Sequence, residues 1–148
     1  MYSTKDIAAT LPKHPTKKYE TRKLSDIKRI VLHTTDDVST IKGLNYYDVS
    51  PGNHISSTGT PTITYSEIIM PDDIAYHTID WTIISWHVGK WNPSSLGVAM
   101  MYKSTDNAND AVAPTASMME STIQHLAYIC LTLGMNPINV YGHRELEF

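Results

Sequence analysis

The sequence predicts an α/β fold in which a central mixed β-sheet is flanked by helices within one domain. Three observations carry that reading. Arg29-Ile30-Val31-Leu32-His33 is an apolar, β-branched run of the kind that forms a strand buried on both faces. Ile138-Asn139-Val140-Tyr141-Gly142 reads as a second such strand, and His143 follows it directly. Between them, Met119, Ile123, Leu126, Cys130 and Leu133 recur at helical spacing until Gly134, a residue suited to end a helix. Strands alternating with helices give a layered α/β arrangement.

Each element can be justified in turn. Residues 1–23 are polar, carry Pro12 and Pro15, and read as a partly ordered N-terminal arm; 24–148 read as the folded domain. Along the first strand Ile30 and Leu32 face one side, Val31 and His33 the other. Thr34, Thr35, Asp36 and Asp37 form a polar exit loop. Ser39 or Thr40 caps a helix through about Tyr47, with Ile41, Leu44 and Tyr47 or Asp48 on one stripe. Residues 50–62, rich in Ser, Pro, Gly, Asn and Thr, make a long loop of the kind that often carries function. Ile63 to Ile69 reads as a strand with Ile63, Tyr65, Glu67 and Ile69 on one face. The turn signal Met70-Pro71-Asp72-Asp73 and the run Ile74 to His77 complete a hairpin. Ser95 to Tyr102 is another core strand, and 103–116 a polar insertion. Ser117-Met118-Met119-Glu120 fits a capping box at the start of the long helix.

Composition excludes several functions. A chain of 148 residues is the size of one domain with a sizeable core. Its net charge of −3 argues against a broad electrostatic grip on nucleic acid. The local basic run Lys13, Lys17, Lys18, Arg22 and Lys23 reads as a solvated, flexible lead-in. Cys130 is the single cysteine, so no intrachain disulfide forms. The start Met1-Tyr2-Ser3-Thr4-Lys5-Asp6 lacks the apolar core of a signal peptide, and no run approaches membrane-spanning length. The expectation is a protein made in a cytoplasm; to act outside it would need another route of release.

The chemistry centres on histidine. Imidazole is a common zinc ligand, and two strands deliver His33 and His143 to the sheet end where sites form in α/β folds. Of the seven histidines, His14 belongs to the arm, His54 to the long loop, and His125 lies off the apolar stripe and reads as a surface residue. On residues alone His33 reads either as a hydrogen-bonded core histidine or as a ligand. Tyr65 likewise reads as a core tyrosine or a catalytic one, and Cys130 as inert core.

A resemblance goes further. Ile30-Val31-Leu32-His33-Thr34-Thr35 resembles the first zinc-ligand motif of the type-2 N-acetylmuramoyl-L-alanine amidases, a superfamily that includes phage endolysins and peptidoglycan recognition proteins. Pro61 to Ile69 resembles that family's strand with the catalytic tyrosine. Ser85-Trp86-His87-Val88-Gly89 resembles its S/W-H-A-G motif, and Asn92-Pro93-Ser94-Ser95-Leu96-Gly97-Val98 its N-x-x-S-I-G-I segment. Tyr141-Gly142-His143-Arg144-Glu145 resembles the second-ligand motif G-H-R-D/E. Each motif is short, but their order over residues 24–148 matches the family.

The resemblance implies that His33 and His143 are zinc ligands and that Tyr65 is catalytic. His87, Trp86, Thr34, Thr35, Asn92 and Ser95 would then line the substrate groove. It implies Zn²⁺-dependent hydrolysis of the amide between N-acetylmuramic acid and L-alanine in peptidoglycan, the expected partner; charge and hydropathy add the expectation of no nucleic acid and no membrane segment, and no obligate protein partner is expected. Endolysin-like action at the bacterial cell wall would follow release through a membrane lesion made by another protein. Two departures stand out. Ser66 occupies the position where the family often has a histidine after the tyrosine. The family's third ligand, a Cys, His or Asp shortly after the second histidine, has no match in the five residues that follow His143. The expectation is an incomplete zinc site in a chain truncated before that ligand. The alternative is a non-catalytic peptidoglycan-binding module on the same fold.

Overall fold

A computed structural model describes residues 2–37, 40–103 and 113–146. The strands are β1 (Ser3–Asp6), β2 (Glu20–Thr21), β3 (Arg29–Thr34), β4 (Glu67–Ile69), β5 (Ile74–His77), β6 (Ile83–Ile84), β7 (Ser95–Met100) and β8 (Val140–Gly142). The α-helices are α1 (Ile41–Val49) and α2 (Ala116–Leu133). Six strands form one sheet in the order β1-β5-β4-β7-β3-β8, and β2 pairs with β6 in a separate two-stranded ribbon. Within the large sheet only the β4–β5 hairpin is antiparallel. The sheet is therefore mixed, as the sequence predicts.

Alternation along β3 and β7 separates two cores. Ile30, Leu96 and Val98 face α2 with Met118, Ile129 and Cys130. Ala99 and Met101 face the opposite side with Ile41, Ile63 and Ile68. Val31 and Gly97 are register partners, as are His33 and Ala99, so His33 emerges on the α1 side. β3 lies between β7 and β8, which places its exit, and His33, next to the end of β8.

Several expectations are corrected. The arm is part of the fold: β1 extends the sheet edge by pairing in parallel with β5, Leu11 is buried, and Arg22 reaches into the domain. Residues 63–66 are not strand. The backbone N–H groups of Ile63 and Thr64 donate instead to the side chains of Asn45 and Asp48 on α1. That break shifts the alternation, so Ile63 and Tyr65 pack toward α1 while Ile69 packs toward α2.

Helix α2 is capped by the Thr115 side chain rather than by Ser117, and it ends at Gly134 in the left-handed region (φ 62°). The stripe it buries is Met118, Ser121, Thr122, His125, Ile129 and Cys130; Met119 and Ile123 are exposed. His125 is thus fully buried, not on the surface. Its Nε2–H donates to Glu67 Oε2 (2.9 Å), and its Nδ1 meets the Tyr2 hydroxyl (2.5 Å). The polar insertion falls largely outside the described residues. At the last strand, Pro137–Asn139 form a 3₁₀ turn and pairing begins at Val140.

Candidate active site

Four segments far apart in sequence bring His33, Tyr65, His87 and His143 together. β3 carries His33, which is buried, at its exit, and His143 follows β8, the neighbouring strand. Their rings lie 4.5 Å apart, centroid to centroid. The Tyr65 ring is 4.9 Å from His33, centroid to centroid. His87, from the loop after β6, meets His33 edge-on, with Nε2 of His33 and Nδ1 of His87 2.9 Å apart.

His87 sits where it does because β7 has a glycine beneath it. A Cβ on Gly97 would stand 2.9 Å from Cγ and Nδ1 of the His87 ring, a separation real side chains do not show. Asn92 fixes the loop above. Its side-chain carbonyl accepts the backbone N–H groups of His87 and Val88 (3.0 and 2.7 Å). Below, the Ser95 carbonyl accepts from His87 Nε2 (3.4 Å) and from Arg22 Nη1 (2.7 Å). Asn92 and Ser95 therefore hold His87, and Ser95 is buried behind it.

The electrostatics follow from burial. Desolvation drives the His33 imidazole well below its ordinary pKa, and the neighbouring His87 and His143 push in the same direction. Burial brings His87 down to about 3, partly opposed by its bond to the Ser95 carbonyl. Both rings are neutral at physiological pH, the state a metal ligand requires. Burial raises the Tyr65 phenol, with Asp48 and Asp36 adding to the effect, so it keeps its proton and remains a donor.

Tyr65 stands between two cavities. One, of about 510 Å³, is lined by Thr35, Gly43, Tyr47, Asp48, Thr64 and Tyr65 among others. The second, of about 340 Å³, is lined by Trp86, His87, Asn92 and His143 as well as Tyr65. His54 and Ile55 border both. Trp86 is half-buried with its ring edge-on to Tyr19 at 5.4 Å. At the exit of β3 the Thr34 and Thr35 hydroxyls donate to the Asp36 carboxylate and the Asp37 carbonyl (2.8 and 2.6 Å). Thr34 and Thr35 thus shape the turn, while Thr35 also reaches the larger cavity.

Asp48 is a site residue that sequence reasoning missed. It is buried, lines the larger cavity, and accepts from Thr64 N–H and Oγ1 through one oxygen. Burial raises its carboxyl to about 6, with the Thr64 bonds opposing. Its place one residue after Tyr47 on the α1 stripe was the only available signal. Arg22, read as part of a solvated arm, is the other. Its guanidinium donates to the carbonyls of Trp81, Asn92, Pro93 and Ser95, and burial lowers its pKa to about 10.

Comparison with known proteins places the chain in a family. The model of the N-acetylmuramoyl-L-alanine amidase family matches residues 23–147. The chain belongs to that family. Among curated relatives of this amidase-family chain, peptidoglycan-recognition protein SC1a of Drosophila melanogaster is 30% identical over 97 residues, covering 64% of this chain and 49% of that protein. The chain spans about half the length of the curated relatives it matches.

Solved structures agree on the fold. N-acetylmuramoyl-L-alanine amidase LysC from Clostridium intestinale superposes with a TM-score of 0.72 at 15% identity, covering 97% of this chain and 84% of that one. The ectodomain complex of peptidoglycan recognition proteins LCa and LCx, bound to tracheal cytotoxin, gives 0.74 at 18%, covering 98% and 86%.

The donor set fits a family zinc in part. His33 and His143 are imidazole donors on adjacent strand ends, the right chemistry for two positions. His87 is turned into His33 rather than toward a shared point. Among the described residues no group of three His, Cys, Asp or Glu side chains is arranged to hold a metal ion. Likewise, no helix among them is long and apolar enough to cross a membrane.

Proposed function

We propose that this chain is a peptidoglycan amidase that hydrolyses the bond between the lactyl carbonyl of N-acetylmuramic acid and the amine of L-alanine. One observation carries the reading: His33, Tyr65 and His143 converge between two cavities in a chain of the amidase family. His33 and His143 would hold zinc, which when bound would polarise a carbonyl and acidify water toward a pKa of about 7.

The chain's own groups supply the rest. Tyr65 keeps its hydroxyl proton and can donate to the oxygen that gains charge as the amide carbonyl is attacked. A donor of that kind contributes about 3–4 kcal/mol to the transition state. The cavities on either side of Tyr65 would hold the substrate on both sides of the scissile bond, with Trp86 offering a flat apolar wall to the smaller one. Thr35 and Asp48 border the larger one and would meet polar groups of the ligand. The place of action is the bacterial cell wall, where this bond is found, and lysis of the wall in the endolysin manner is the physiological reading.

A second reading, a peptidoglycan-binding module without catalysis, is favoured by the lack of a three-donor group among the described residues. One experiment separates the two. Purified walls are incubated with the chain in the presence of zinc, and new L-alanine amino termini are counted. The amidase releases them, and His33→Ala and Tyr65→Phe do not. A binding module co-sediments with walls and releases none.

A further inference from the structure

The contact between His33 and His87 has a direction. Two neutral imidazoles 2.9 Å apart share one hydrogen, and the groups around His87 decide which ring supplies it. His87 Nε2 faces the Ser95 carbonyl, which can only accept, so Nε2 carries the hydrogen. The opposite assignment would set a lone pair on Nε2 against the carbonyl lone pairs. Arg22 Nη1–H donates to the same carbonyl (2.7 Å), which is thus an acceptor toward both side chains. His87 Nδ1 is therefore an acceptor, and His33 Nε2–H donates to it. The remaining nitrogen of His33, Nδ1, is left with a free lone pair.

We propose that His87 is a positioning residue: by accepting from His33 Nε2, it locks His33 in the tautomer whose Nδ1 is bare and available to a metal ion. The proposal rests on the reading of His33 as a ligand. It assigns His87 a task other than touching substrate. Its seat is built for that task from three sides. Gly97 leaves room for the ring, Asn92 pins its backbone, and the Ser95 carbonyl orients its far nitrogen. Metal-binding histidines characteristically donate their second nitrogen to such an orienting partner, and losing the partner weakens metal binding by about 10- to 100-fold. Here the partner is a second histidine, itself oriented by a main-chain carbonyl.

The test reads the tautomer directly. Long-range ¹H–¹⁵N spectra of the metal-free protein, with His33 assigned by its loss in His33→Ala, report which ring nitrogens carry hydrogen. The proposal requires Nε2 of His33 protonated and Nδ1 bare, and Nε2 of His87 protonated. The reverse pattern at either residue overturns it, whatever the variants do.

Two substitutions add a second measurement. His87→Phe fills the same space without an acceptor, so His33 should populate both tautomers and zinc affinity should fall about 10- to 100-fold. His87→Asn returns a carbonyl oxygen toward His33 and should restore one tautomer and most of the affinity. An unchanged His33 tautomer in His87→Phe overturns the proposal. If the parent binds no zinc, the ligand reading of His33 fails, and the nitrogen spectra still decide whether His87 orients His33.

Discussion

Gly97→Ala tests the packing that seats His87. The new Cβ would lie 2.9 Å from Cγ and Nδ1 of the ring, and 3.1 Å from Cδ2. Ordinary carbon contacts are about 3.5–4.0 Å, so roughly 0.6 Å or more must be found. The strand cannot supply it. Gly97 is in register with Val31 of β3 on one side, and its carbonyl accepts from Ser66 N–H on the other. The ring must retreat, and a displacement of that size disturbs the 2.9 Å His33–His87 bond. Overpacking costs about 1–3 kcal/mol and the disturbed buried bond about 1 more, giving about 2–4 kcal/mol in all. Urea unfolding measures this, with Gly142→Ala as the control, because there an added Cβ meets nothing nearer than 3.5 Å. Gly97→Ala should lower stability by that amount and reduce zinc affinity along with it. A variant within about 0.5 kcal/mol of the parent would refute the reasoning.

Other expectations concern the rest of the molecule. Tyr65→Phe should reduce amide hydrolysis about 10²- to 10³-fold while leaving the unfolding midpoint nearly unchanged, as an oxyanion donor would. Arg22→Ala should cost about 2–4 kcal/mol by stranding the carbonyls of Trp81, Asn92, Pro93 and Ser95, whereas a solvated arm residue would cost nothing measurable in a thermal melt. Across the sheet, His77 Nδ1–H donates to Glu67 Oε1 (2.5 Å), and this bond raises the His77 pKa while burial opposes it. A raised histidine stabilises fully below its unfolded pKa of about 6.5 and loses that contribution as pH climbs through the folded value. The stability gap between parent and His77→Gln, about 1 kcal/mol after solvent screening, should therefore be widest near pH 5.5 and shrink above 6.5. Burial alone would raise Glu67, but bonds from His125 and His77 outweigh it and hold it low. A depressed carboxylate loses its contribution as pH falls through the folded value, so unfolding curves for parent and Glu67→Gln should converge below about pH 4.

The sheet was legible because its central strands are locally unambiguous. β3 and β7 are continuous apolar runs, and the β4–β5 turn announces itself through Pro71, Asp72 and Asp73, the last at φ 64°. The buried face of α2 was not legible. Ile123 and Leu131 on its outer side are as apolar as Ile129 and Cys130 within, so periodicity could not choose between the faces. The choice is made by Glu67, 58 positions away, whose carboxylate draws His125 inward. β1 escaped notice because its four side chains are exposed; only its backbone is engaged, and pairing with β5 is not written in hydrophobicity. At the candidate site, His33, Tyr65 and His143, which the motifs single out, lie close together. The support beneath did not show in sequence: Gly97 under His87, Arg22 on the Ser95 carbonyl, and Asp48 at the cavity wall each gain meaning only from neighbours distant in the chain.

We propose that His33, Tyr65 and His143 form a centre that cleaves the muramoyl–alanine amide. Mass spectrometry of purified peptidoglycan incubated with the zinc-supplemented chain tests it most directly. Intact glycan strands and free stem peptides beginning with L-alanine should be produced by the parent and lost with Tyr65→Phe. Free stem peptides released equally by parent and Tyr65→Phe would contradict it, as would walls left uncut by a parent shown to have bound zinc.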